Sequence, residues 1–282
     1  MHQLHLPDMI LPHEPSAAAN TKGAVMQSPK VTEDAIFRLC VKTIARSQGR
    51  SALVSIAYRS GCEMFAKDGS SVADYRRRKG VLGSMIVAPA NAPAWAMNRN
   101  ELWLRATEIE VRVNSVEARE FEVAIPKGAS RGEAVELAEQ FANEIVARHS
   151  CVVDFSLHAD SRTNWTGSAK NFDGFHVHFM LTTRRIDEHG FGEKTRELDV
   201  QSTRLVAFWR QRWEDLANTF FASRGIATRI DARSNAARGL SRKASHPLGH
   251  KIVAMERRGK RTKRGDDVRA ISDACPPPVS HR

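Results

Sequence analysis

Three histidines stand where extended strands would bring imidazoles together. Residues 175–183, FHVHFMLTT, alternate strictly, and successive side chains of a strand point to opposite faces. His176, His178 and Met180 therefore share one face, and Phe175, Val177, Phe179 and Leu181 share the other. The earlier run CVVDFSLH behaves alike, with Val153, Phe155 and Leu157 opposite Asp154, Ser156 and His158. The apolar set is expected against helices, leaving the imidazoles on an accessible face. The segment DSRTNWTGSAKNFDG between the runs is long enough for the two strands to lie side by side. A lone histidine on a strand is ordinarily a half-exposed surface residue. Two at i and i+2, with a third at the end of a neighbouring strand, are also a metal-ligand pattern, since imidazole is the commonest metal ligand.

The remaining elements must position that trio. Residues 35–45, AIFRLCVKTIA, alternate as a strand with one polar face. A helix follows with Ser51 as its N-cap, an apolar stripe of Ala52, Leu53, Ile56, Ala57 and Met64, a weak point at Gly61 and an end at Gly69. Tyr58 lies beside that stripe. A basic loop, Arg76, Arg77, Arg78 and Lys79, precedes a short strand at 81–87; the loop is either solvated or in contact with phosphate. Residues 99–118 read as one amphipathic helix with Leu102, Ala106, Ile109 and Val113 inward. The strand REFEVAIP, 119–126, puts Phe121, Val123 and Ile125 on one face and Glu120 and Glu122 on the other. Helices are expected over 131–148, capped by Ser130, and after Ser202 as far as Gly225.

Composition bounds the function. The 282 residues are 41% hydrophobic and 27% charged, an ordinary globular make-up, but the net charge of +11 points to a polyanion such as nucleic acid. No long basic amphipathic helix with an aromatic face supports a membrane surface as partner, no apolar run approaches the ~20 residues of a membrane span, and the N-terminus lacks a secretory pattern. A cytoplasmic location is expected. Cys40, Cys62, Cys151 and Cys275 form no CxxC pair and are expected as reduced thiols. Patterning divides the chain into a flexible leader (1–33), in which Met26 is an alternative start, a core (34–226), a basic loop-rich flap (227–270) and an unstructured tail (271–282).

Four blocks taken in order, AIFRLCVKTIARSQGRSALVSIAYRSG, REFEVAIP, VVDFSLH with FHVHFMLTTRR, and LGHKIVAMERRGKRTKRGD, resemble the MobA/MobL-type conjugative relaxases of the HUH endonuclease superfamily, over about residues 35–268. The resemblance implies an α+β fold, a five-stranded antiparallel sheet flanked by helices, that nicks one strand of plasmid DNA at an origin of transfer. It implies a tyrosine nucleophile in the AYRSG helix, Tyr58, a 5′-phosphotyrosine intermediate, and a divalent ion, Mg2+ or Mn2+, on His158, His176 and His178. Accessory mobilisation proteins and a type IV secretion coupling protein are the partners it implies.

The residue types suit those roles. Tyrosine, with a pKa of about 10, needs a base or a field that favours phenolate, and a bound ion would stabilise charge on phosphate oxygens. Imidazole by intrinsic affinity favours Zn2+, Ni2+ or Cu2+. Tyr75 is the fallback nucleophile, or else a surface aromatic that stacks on a base. Glu120 or Glu122 orients a histidine, acts as the base, or is merely solvated; Asp154 is a similar candidate. Arg59, Arg184, Arg185, Arg257, Arg258, Lys260 and Arg261 are the further DNA-contact candidates. Two other readings stay open: a non-catalytic DNA-binding accessory protein or repressor on the same fold, and an HUH replication initiator.

Overall fold

The computed structural model describes residues 37–159, 175–199, 203–240 and 248–273, all within the unit Val31–Arg282. The leader, Ser202, Cys275, the tail beyond Asp273, and the insert carrying Trp165 and Phe172 lie outside the described residues, while 271–273, expected in the unstructured tail, end a helix.

In chain order the elements are β1 (Leu39–Ala45), α1 (Ala52–Ser60), β2 (Glu63–Phe65), β3 (Ser71–Asp74), β4 (Val81–Val87), α2 (Arg99–Glu108), β5 (Val116–Ala124), α3 (Arg131–His149), β6 (Val153–Ala159), β7 (Phe175–Thr182), β8 (Arg184–Asp187), β9 (Gly190–Lys194), α4 (Thr203–Ser223), α5 (Gly249–Arg257) and α6 (Lys263–Asp273). Five strands form an antiparallel sheet in the order β1-β5-β7-β6-β4, with β2–β3 and β8–β9 as separate hairpins.

The alternation read from the sequence decides how each face is covered. Phe121, Val123, Phe155, Leu157, Val177, Phe179 and Leu181 point to one side and pack against α3 and α4. Phe141 of α3 is the hub there, with ring centroids 5.3 Å from Phe179, 5.4 Å from Trp209 and 5.0 Å from Trp213. The opposite face is also covered, contrary to the expectation of an open one. Ala118, Met180, Ile86 and Ile44 pack there with Leu53, Ile56 and Ala57 of α1 and Leu102, Trp103 and Ala106 of α2.

Local rules set the helix ends, and two of them correct the sequence reading. Helix α1 stops at Ser60, because Gly61 takes the left-handed conformation (φ 65°) and returns its N–H to Ala57. Met64 is therefore not on the helical stripe but buried in β2. Helix α2 ends at Glu108, not 118; Val113 is 87% exposed and the chain has entered β5 by Val116. The stripe Leu102, Ala106, Ile109, Val113 continues at helical spacing past the true end. Helix α3 starts as expected, with Ser130 and Glu133 forming a reciprocal capping box. Beyond residue 227 the segment is irregular to 240, but α5 and α6 then form two short helices where only loops were expected. Among the described residues Cys40, Cys62 and Cys151 are free, and none of the helices is long and apolar enough to cross a membrane.

Candidate active site beside helix α1

Sheet register brings the histidines together. In the β6–β7 pair His158 lies opposite His176, and Ser156 opposite His178. Because paired residues share a face, all three imidazoles project from one end of the α1/α2 side of the sheet. Their ring centroids are 5.2 Å (His158–His176), 4.7 Å (His158–His178) and 5.0 Å (His176–His178) apart. One ring nitrogen from each lies within 4.8 Å of the others, the spacing of donors around one ion.

Hydrogen bonds fix two of the tautomers. His178 Nδ1 is 2.5 Å from Glu120 Oε1, so it donates there and its Nε2 keeps a lone pair. His158 Nε2 is 2.6 Å from the Arg59 carbonyl, which only accepts, so this nitrogen carries the proton. His158 Nδ1 is then the lone-pair nitrogen, and it is buried without a hydrogen-bond partner. An orphaned basic nitrogen on one of three clustered imidazoles fits a metal ion, and imidazole nitrogens are a suitable donor set. Burial pushes His158 down to about 3, against the raising effect of the Arg59 carbonyl, so the ring is neutral over the whole physiological range.

Glu120 is fully buried and is surrounded by donors. Arg59 grips it through Nε and a terminal nitrogen, both at 2.7 Å. Burial alone would raise its carboxyl, but the bonds from His178 and Arg59 outweigh that and hold it far below the usual carboxylate range. Glu122 forms ion pairs with Arg38 and Lys42. Neither glutamate is solvated. A second donor group, Glu120, Glu122 and His178, has comparable spacing, but its carboxylates are already neutralised by those cations.

Helix α1 is held at both ends by β5. Glu117 accepts from the Ala52 N–H (2.8 Å), placing a carboxylate on the helix N-terminus where the dipole favours it. Three residues along the strand, Glu120 holds Arg59 near the C-terminus. Tyr58, one residue earlier, is 45% exposed, and the Arg78 guanidinium that lies over its ring has a terminal nitrogen 3.3 Å from His158 Nε2. Asp154 serves the scaffold instead. It is buried, accepts from Arg99 at 2.8 and 3.0 Å and from the Trp103 indole at 3.0 Å, and fastens α2 to β6.

The cationic candidates fall into two groups. Arg76 pairs with Asp74 and Glu63 while Arg77 and Lys79 are exposed, and Arg257, Arg258, Lys260 and Arg261 are exposed around the α5–α6 turn. Arg184 and Arg185 instead stand past the far end of β7 from His176, the first on Glu110 and the second on Glu197 and the His149 carbonyl. They bind the β8–β9 hairpin to the core rather than face the site. Sequence reasoning missed the Arg99–Trp103–Asp154 anchor and Glu117, whose partners lie 51 to 65 residues away and leave no local signal.

Comparison with known proteins identifies the family. The profile of the MobA/MobL family matches residues 50–258. The mobilization protein MobL of Acidithiobacillus ferridurans is 31% identical over 256 residues, covering 83% of this chain and 67% of that protein. The conjugal transfer protein TraA of Rhizobium radiobacter is 26% identical and mobilization protein A of Escherichia coli 27%; the alignments cover 79% and 85% of this chain but only 22% and 33% of those longer proteins. A solved chain described under "Molecular Basis of Vancomycin Resistance Transfer in Staphylococcus aureus" superposes with a TM-score of 0.61 at 25% identity, over 71% of this chain and 100% of that one. A profile that runs from the helix bearing Tyr58, through both histidine strands, to the end of α5 shows that this chain belongs to the MobA/MobL family.

Proposed function

We propose that the chain is a relaxase that cuts one strand of plasmid DNA at an origin of transfer and later rejoins it, in the cytoplasm, with accessory mobilisation proteins and a type IV secretion coupling protein as partners. The observation that carries this reading is Arg59. Its carbonyl accepts a hydrogen bond from His158 Nε2 and its guanidinium holds the carboxylate behind His178, so the residue next to Tyr58 links the tyrosine's helix to two of the three histidines.

In the proposed reaction the Tyr58 oxygen attacks the phosphorus of a phosphodiester. A tyrosyl O–P bond forms, the bond from phosphorus to the 3′ oxygen breaks, the phenol gives up its proton, and the 3′ oxygen leaves as a hydroxyl. The reverse attack restores the strand, so no nucleotide is hydrolysed. His158 through Nδ1, His178 through Nε2 and His176 would hold a divalent ion, Mg2+ or Mn2+ in use. Such an ion supplies positive charge against the phosphate oxygens. Glu120 orients His178 and keeps its lone pair aimed inward. Arg76, Arg77, Lys79, Arg257, Arg258, Lys260 and Arg261 supply phosphate contacts along the strand.

Covalent trapping tests this. The protein and its Tyr58→Phe variant are incubated with single-stranded oligonucleotides spanning the cognate origin, with Mn2+ or with chelator, and run on a denaturing gel. A metal-dependent adduct that disappears in the variant is expected. An adduct that persists in Tyr58→Phe would move the nucleophile to Tyr75. Tight DNA binding with no adduct under any metal would leave a binding protein.

A further inference from the structure

The two tyrosines of the chain are in contact, and an arginine closes over one of them. The Tyr58 and Tyr75 rings meet edge to face with centroids 5.3 Å apart. On Tyr58 the Arg78 guanidinium carbon sits 3.9 Å from the ring centroid, and an Arg78 terminal nitrogen donates to the Tyr58 carbonyl at 3.0 Å. The same nitrogen lies 3.3 Å from His158 Nε2, whose proton is already committed to the Arg59 carbonyl. Arg78 therefore touches both halves of the site at once.

The turn that carries this pair is itself fixed. The Tyr75 N–H bonds the Cys62 carbonyl at 3.0 Å and the Arg78 N–H bonds the Tyr75 carbonyl at 2.9 Å, tying the turn after β3 to the end of α1. One residue further on than Lys79, the Gly80 carbonyl accepts from Ala159 at 2.9 Å, next to His158. The turn is thus pinned between the nucleophile helix and a histidine strand.

We propose, building on the relaxase reading, that Tyr75 and Arg78 are positioning residues: a clamp that holds the Tyr58 ring in one orientation against the histidine cluster. This differs from the role of a solvated phosphate contact expected of Arg78, and from a nucleophile or base-stacking role for Tyr75. A planar cation over a ring face and a ring edge against it restrict χ rotation of an otherwise exposed side chain. Lysine, a compact point charge, reproduces the charge but not the planar contact.

Two measurements decide it. With only two tyrosines in the sequence, ring-labelled tyrosine NMR gives two sets of signals, assigned by Tyr75→Phe. In the DNA-free protein, Arg78→Ala and Tyr75→Leu are expected to shift and sharpen the Tyr58 ring signals towards those of a freely rotating phenol. Second, single-turnover adduct formation at saturating oligonucleotide is expected to slow by about 100-fold in Arg78→Ala, with DNA affinity within about threefold of the wild type. Arg78→Lys should recover part of that rate, and added guanidinium should restore part of it to Arg78→Ala. Unchanged Tyr58 signals in Arg78→Ala would overturn the clamp, whether or not DNA is cut. So would a variant whose affinity falls at least tenfold while its saturated rate is preserved, which is the behaviour of a phosphate contact. If the wild type forms no adduct, the relaxase reading fails while the NMR result still decides the clamp.

Discussion

At the scale of single residues, the histidine trio was legible because strand alternation fixes faces without any knowledge of the fold. Tyr58 was reached through the family resemblance, which supplied the AYRSG helix. What the sequence left open was the state of the polar groups around them. Glu120 had three readings, and its position among Arg59 and His178 favours the orienting one, since a carboxylate held so firmly in its charged form is a poor proton acceptor. Glu120→Gln should therefore weaken divalent-ion binding by about 10- to 100-fold, measured by calorimetric titration with Mn2+ on the DNA-free protein. A variant that binds the ion as tightly as wild type would remove Glu120 from that role. Buried imidazoles also make stability depend on pH. Burial lowers both His158 and His149, the latter against a raising contribution from Glu197. Unfolded, both would titrate near 6.5. The unfolded chain thus binds more protons below that value, so their stabilising contribution is complete above about pH 6.5 and is lost as the pH falls towards about 3. The urea midpoint should drop between pH 7.5 and pH 5, and less steeply in His158→Gln.

At the scale of elements, strands β5, β6 and β7 and helix α3 were recoverable from period and capping alone. The errors have specific causes. Val113 extended an apolar stripe beyond the real end of α2, and no local feature marks the departure at Glu108. Strand β2 was absorbed into a helix and β3 was not foreseen, although Asp68-Gly69 between two short extended runs is a turn signal. Gly61 was noticed as a weak point, yet it is the stop. Its positive φ and the 3.3 Å approach a Cβ would make to Val81 give Gly61→Ala an expected cost of about 1–2 kcal/mol. Ser130→Ala should cost about 1 kcal/mol by removing half of the capping box. Denaturant unfolding measures both. If Gly61→Ala is neutral, the α1 stop lies elsewhere.

At the scale of the whole molecule, the charge excess was visible from composition, but its distribution was not. Several of the cations are paired internally, Arg99, Arg119, Arg184 and Arg212 all being ion-paired within the core or at its rim, so the net +11 resides on other cations. Among the described residues, exposed cations stand in the turn after β3 and around the α5–α6 turn, and also at scattered positions such as Arg50, Lys67, Arg112 and Arg196. With the seven phosphate contacts proposed above, affinity for a single strand should fall with a log–log salt slope of about −5. Replacing Arg257 and Arg258 by alanine should flatten that slope by about 1.4, read from binding isotherms at several salt concentrations. An unaltered slope would assign those arginines to solvent.

In the proposed relaxase, Arg59 ties the fate of the proposed nucleophile, Tyr58, to that of the proposed ion cradle. Because its main chain serves one histidine and its side chain the support of another, undocking of α1 removes the phenol and disorganises the cradle in the same event. Fraying of that helix cannot leave half of the machinery standing. Under the proposed relaxase reading, two parts that fail together amount to a built-in safety catch: a damaged or incompletely folded copy would be inert towards DNA rather than carelessly active.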